Sequence, residues 1–189
     1  MQKKLMLSSL LACMLFACGC GPNTKYTVPE RRQIINDMAQ QTLQKLYQQI
    51  PTTKEEIAAA AGYGVFSNAN VNVLLASAGS GYGVVVDRTN NQKIYMKMGL
   101  LGVGPGIGVK DTRQVLIFRD ANTLQNFVEK SLEIGGHMDA TVKAGEQGGE
   151  LTEEGNLNDD ITIYSMAESG LALQATLTGA KYWKDPDLN

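Results

Sequence analysis

The chain has 189 residues, 20 of them glycine, with 17 basic and 19 acidic side chains and a formal charge of −2. That length supports one domain with a core of ordinary size and leaves little for a second. With no basic run and no arginine cluster interleaved with aromatics, nucleic acid is excluded as an expected partner.

The first element in chain order is a leader. A short basic segment, MQKK, precedes the apolar run Leu5 to Ala17, and the chain then turns polar at CGCGPNT. This is the layout of an export signal, and it is too short to span a bilayer. Cys13, Cys18 and Cys20 lie in or beside it and the body has no cysteine, so no disulfide framework is expected. LFAC, Leu15 to Cys18, resembles a bacterial lipobox. Residues 1–17 are therefore expected to be a lipoprotein signal peptide, with Cys18 acylated, for example by palmitate, and Cys20 the second choice. Gly19, where an inner-membrane retention signal resembles aspartate, points to an outer-membrane lipoprotein of the cell envelope facing the periplasm. Loss of Lys3 and Lys4 with the leader leaves 15 basic against 19 acidic residues, a mature charge of −4.

Residues 18–29 read as a tether without apolar period. Glu30 to Ile50 has helical spacing, with Ile34, Ile35, Met38, Leu43, Leu46, Tyr47 and Ile50 on one side, and Pro51 stops it. Thr53 and Glu56 match a capping box for a short helix through Ala61. From Gly62 the period becomes two. Strand signals run through Val86, DRTNNQK forms a polar turn, and Lys93 to Met98 alternates as an antiparallel partner. After a glycine-rich stretch, KDTRQ reads as a second turn and VLIF as a buried strand. Asp120 is placed to cap a helix bearing Leu124, Phe127, Val128 and Leu132, closed by Gly135 and Gly136. Met138 to Ala144 alternates as a strand, Gly145 to Asp160 reads as an acidic loop, and ITIYSM with LALQATLTGAKYW reads as a hairpin turning at Glu168–Gly170. The expected fold class is α+β: a small glycine-rich, mostly antiparallel β-barrel or strongly curved sheet with N-terminal and mid-chain helices packed on it.

GLLGVGPGIGV, Gly99 to Val109, invites a phosphate-binding reading, and its spacing refuses one. A dinucleotide fingerprint needs G-x-G-x-x-G between strand and helix, whereas Gly102, Gly104, Gly106 and Gly108 recur at period two, with Pro105 among them and no helix after. Period two places the four on one face of a strand, and Gly62, Gly64, Gly79, Gly81 and Gly83 repeat the device. Glycine weakens strands, so repeated stripes call for a reason: bare faces let a sheet coil sharply or let another element approach closely.

Catalytic chemistry is not signalled. The body offers one histidine, His137, and no cysteine, too few ligands for zinc. SAGSG lacks the first glycine of a nucleophile elbow, and the carboxylates between Glu146 and Asp160 lack a calcium-loop spacing. No cofactor, metal or catalytic residue is expected.

In their order, AAAGYGVFSNANVNVLLASAGSGYGVVVDR, GLLGVGPGIGVKDTRQVLIFRDANTLQNFV, LEIGGHMDATVKAGEQGG and ITIYSMAESGLALQATLTGA resemble the SYLF domain family over roughly Thr53 to Trp183. The resemblance implies a small β-barrel with packed helices and a lipid-binding domain, linked in eukaryotic members to phosphoinositides and actin; bacterial members are often exported lipoproteins. Eukaryotic members tend to carry a glycine-proline-glycine-arginine-like segment where this chain has AGEQGGE, and a lysine where it has Glu168. Both differences remove positive charge and argue against highly phosphorylated head groups.

The expected organisation is therefore leader 1–17, tether 18–29 and one SYLF-like domain over 30–189. The expected function is a non-enzymatic exported lipoprotein binding a phospholipid, another membrane lipid or an apolar envelope molecule. The alternative is a structural envelope module docking a protein partner through its sheet or first helix. Arg31, Arg32, Lys110 and Arg113 are the candidate lipid-binding residues, each contributing about 1 kcal/mol near an anionic surface.

Overall fold

The structure, a computed structural model, describes residues 25–130, 133–134, 151–157, 160–167 and 177–189. Helix α1 (Val28–Gln49) starts two residues earlier than its spacing predicts. Pro29 sits in the first turn, and the Glu30 carboxylate accepts the backbone N–H and Oγ1 of Thr27 at 2.8 and 2.7 Å. Those hydrogen bonds hold the Glu30 carboxyl below its usual range. The stripe Ile35, Met38, Ala39, Thr42 and Leu46 is buried. Helix α2 (Thr53–Ala59) forms without the expected capping box. Its N-cap is Thr52, so Thr53 already lies inside the helix and donates to the Ile50 carbonyl, while Glu56 accepts from the Tyr164 hydroxyl at 2.8 Å.

Strands β1 (Gly62–Asp87) and β2 (Gln92–Phe118) form one antiparallel hairpin of 26 and 27 residues. Its turn falls at Arg88–Asn91, where DRTNNQK predicts it, with Asn91 in the left-handed region at φ 57°. KDTRQ is not a turn. Lys110 to Gln114 continue β2 and pair with Asn70 to Phe66, so each polar residue finds a ladder partner. The remaining strands are β3 (Glu133–Ile134), β4 (Leu151–Leu157), β5 (Ile161–Ala167) and β6 (Leu177–Lys184). β4 places a strand inside the segment expected to be an acidic loop.

The expected terminal hairpin is corrected by the pairing. β5 lies antiparallel to Thr112–Phe118 and β6 antiparallel to Met96–Val103, both along β2. They therefore run in one direction, end to end on the same edge, whereas hairpin strands oppose each other. The Glu168–Gly170 turn, the Met138–Ala144 strand, Leu132, Gly135, Gly136 and His137 lie outside the described residues.

One irregularity interrupts the long ladder. Leu74 faces Gly106 and Ala76 faces Val103, leaving Leu75 opposite both Gly104 and Pro105. Two residues against one is a β-bulge, a position that tolerates a proline lacking an N–H. Across the bulge β2 keeps its alternation, Met96, Met98 and Leu100 before it sharing a face with Leu116 and Phe118 after it, while β1 shifts by one residue, so that Phe66 and Val85 lie together.

A straight 26-residue strand would reach roughly 85 Å, too long to enclose a core, so the hairpin must curl. It does so at glycines. A Cβ on Gly83 would lie 2.3 Å from the Val65 carbonyl oxygen, one on Gly81 2.3 Å from that of Ser67, and one on Gly62 2.6 Å from that of Val86. The two halves of β1 thus pack against each other with no room for a side chain between them. The expected α+β class with a curved antiparallel sheet is what the chain forms.

The curl gives the sheet two faces. Val65, Val84, Tyr95, Val115, Ile117, Tyr164 and Met166 form the outer face beneath α1 and α2. Phe66, Val85, Met96, Met98, Leu100, Leu116, Phe118, Ile163 and Tyr182 form the inner face with helix α3 (Ala121–Glu129). As the sequence predicts, α3 buries Leu124, Phe127 and Val128 and is capped by Asp120, which accepts the N–H groups of Asn122 and Thr123 at 2.9 Å. It ends at Glu129, short of the expected glycines.

Hydrogen bonds from Thr123 and then Asn122 hold the Asp120 carboxyl below its usual range. A depressed folded pKa stabilises above the unfolded pKa, and that contribution is lost as pH falls through the folded value. Asp120→Ala is therefore expected to lower the Tm at neutral pH. Melting curves of the two proteins should converge in acid.

Candidate functional site

The inner face carries the most distinctive grouping of side chains. At the α3 end it has an aromatic floor: the Phe127 ring lies 4.9 Å from Phe118, 5.1 Å from Tyr182 and 6.2 Å from Phe66, and Phe66 lies 4.8 Å from Tyr182. Phe66, Gln114 and Ser165 occupy one row across three strands, and Asn68 comes one pleat further along β1. These polar residues are buried, with Asn68 4 % and Ser165 0 % exposed. Tyr182 donates its hydroxyl to Gln114 Oε1 at 3.0 Å. Asn68 Nδ2 and Ser165 Oγ have no hydrogen-bond partner. Leaving such a buried donor unsatisfied costs about 1–3 kcal/mol, so a polar layer above an apolar floor marks this face as more than packing. Sequence reading missed it, because single polar residues in alternating strands look like a solvent face. The one available signal was Gln114 directly preceding the buried run VLIF.

The second grouping is a C-terminal clasp. Asp185, almost fully buried, lies 3.4 Å from Arg31 Nη2 and 3.2 Å from Lys97 Nζ. Arg32 donates twice to the Leu188 carbonyl, at 2.9 and 2.7 Å, and its guanidinium lies over the Tyr95 ring. Asn189 exchanges hydrogen bonds with the Tyr95 backbone, and Leu188 is buried. Asp185→Ala would leave Arg31 short of its carboxylate and is expected to cost about 2 kcal/mol. Urea denaturation measures it, with Asp187→Ala, on the exposed carboxylate beside it, expected to change little.

The sequence-predicted residues thus fall in different settings. Arg31 and Arg32 hold the tail. Lys110 and Arg113 are positions of β2 beside Asn70 and Ser67. Cys18 lies outside the described residues. Among the described residues no three His, Cys, Asp or Glu side chains gather as a metal site, and no helix is long and apolar enough to cross a membrane. Burial pushes the hydroxyls of Tyr47 and Tyr63 upward, with Arg88 opposing it. Glu30 and Asp120 are shifted downward. These four groups all move away from neutrality, the wrong direction for general acid–base work.

Residues 99–189 match the family described as Ysc84, Las17-binding protein actin regulator. Beta cell expansion factor A of Aeromonas veronii, a SYLF-family protein, is 36% identical over 162 residues. Residues 99–189 carry the SYLF-family match, and the similarity to this relative extends over most of the chain. The aligned region covers 86% of this chain and 60% of that relative, so the match spans about three fifths of the relative's length. The SYLF match takes in β2 from Gly99 onward, α3, β5, β6 and the Asp185–Asn189 side of the clasp, and leaves Arg31, Arg32, Tyr95 and Lys97 outside it. Neither the family's description nor the relative's name carries an enzyme activity.

Proposed function

We propose that this protein is a non-enzymatic exported lipoprotein, anchored through acylated Cys18, that binds a lipid or other apolar envelope molecule on its inner face. The observation that carries the reading is the lining of that face: Met96, Met98 and Leu100 lie along β2 beside the aromatic floor, Met98 directly opposite Tyr182. Methionines adapt their shape to apolar guests at little cost. Anionic head groups would meet Lys110 and Arg113, with Arg31 and Arg32 contributing only by whatever charge the clasp leaves uncompensated. Native mass spectrometry after mild extraction tests the proposal, and a retained lipid mass is the expected result. A protein recovered without any ligand under conditions that preserve lipid complexes counts against it. Anchoring is tested separately, since Cys18→Ala should move the protein out of the membrane fraction. Changing Lys110 and Arg113 to Gln should weaken co-sedimentation with anionic liposomes at low salt.

A protein-docking role is favoured by one observation. Leu101 is 74% exposed, on a row with Ala78 and Gly179 that offers it no large neighbour.

A further inference from the structure

From the two buried donors of the inner face we infer that Asn68 and Ser165 form the polar end of the ligand site, and that they select an uncharged acceptor, an ester or amide carbonyl. This rests on the lipid-binding reading and adds the chemistry of the group recognised.

Asn68 Nδ2 and Ser165 Oγ are both donors, both buried and both without a partner. Their strands flank β2 on opposite sides, and pairing places them on the same face as Gln114. Gln114 and Tyr182 satisfy each other between them, so the unmet demand is for acceptor oxygens at the two flanks. The floor beneath, Phe66, Leu116, Phe118 and Phe127, is apolar. Among the described residues the buried charged side chain is Asp185, which belongs to the clasp. With no buried cation among the described residues of this face, a carboxylate or phosphate would enter beside them without a counter-charge, at a far greater desolvation cost than a carbonyl. An acyl ester fits both halves, its chain against the methionine-lined wall and its oxygens divided between the two donors.

Calorimetric titration of the mature chain with 1-monooctanoylglycerol and with octanoate, which share a chain length and differ in the polar end, tests this. The ester is expected to bind at least tenfold more tightly. Ser165→Ala should weaken ester binding about tenfold while raising the Tm of the ligand-free protein, because it removes an unsatisfied donor. Asn68→Leu should do the same. Unchanged ester affinity in both variants overturns the assignment, as does octanoate binding as tightly as the ester. A lowered Tm for both variants overturns it too, since the donors would then be serving the fold, for instance through an ordered water. Failure here with lipid still retained in native mass spectrometry leaves the lipid-binding reading intact; absence of any retained lipid removes both.

Discussion

Gly83→Ala is expected to cost about 3 kcal/mol, among the largest effects available to a single methyl group in this protein. The new Cβ would stand 2.3 Å from the Val65 carbonyl oxygen and 2.4 Å from Phe66 Cδ1. The ring can rotate, but the carbonyl belongs to the ladder with β2 and cannot retreat without opening the curl. Gly99→Ala supplies the contrast. There a Cβ meets only the rim of the Trp183 ring at 3.4 Å, and replacing a strand glycine restores conformational preference. Denaturant unfolding of the two variants should therefore separate widely. Equal stabilities would mean that the two halves of β1 do not pack as closely as described.

Phe127→Ala is expected to cost about 3–5 kcal/mol. Phe127 is the residue of α3 that touches all three other rings of the floor, so its removal opens a cavity bounded by Phe66, Phe118 and Tyr182. Tyr182 also holds Gln114, and a loosened ring there should disturb the polar layer as well. Equilibrium unfolding gives the stability, and monooctanoylglycerol titration of the surviving folded fraction gives the coupling. Phe127→Leu retains most of the volume and should lose less than half as much.

The sequence discloses elements whose signal is local. Helical period and Pro51 mark α1, the Asp120 cap and its apolar stripe mark α3, and DRTNNQK marks the hairpin tip. It also discloses that the glycines shape the sheet: Gly62, Gly81 and Gly83 sit where the backbone comes closest. What it conceals depends on partners distant in the chain. Lys110 to Gln114 look like a turn because polarity is read as exposure, yet with the cross-strand residues Asn70, Asn68 and Ser67 they make a polar stretch of ladder. The alternation of residues 161–184 fixes which residues share a face but not which strand they join, so an end-to-end pair looks like a hairpin. Asn68 and Ser165 were invisible as a site for the same reason. Arg31 and Arg32 were legible as positive charge, but their engagement with Asp185 and Leu188 comes from residues more than 150 positions away.

The placement of β5 and β6 on one edge of β2 has a consequence for how the chain is made. The β1–β2 hairpin can zip from its turn as soon as residue 118 has emerged, because its contacts are local. The opposite edge of β2 must then wait for residues 161–184, and until they arrive it presents a long row of unpaired backbone groups to any other extended chain. The interval between those two events is the period in which a nascent molecule is most prone to pair with its neighbours, and mutations that slow the arrival of β5 or β6 should appear first as aggregation rather than as lowered melting temperature.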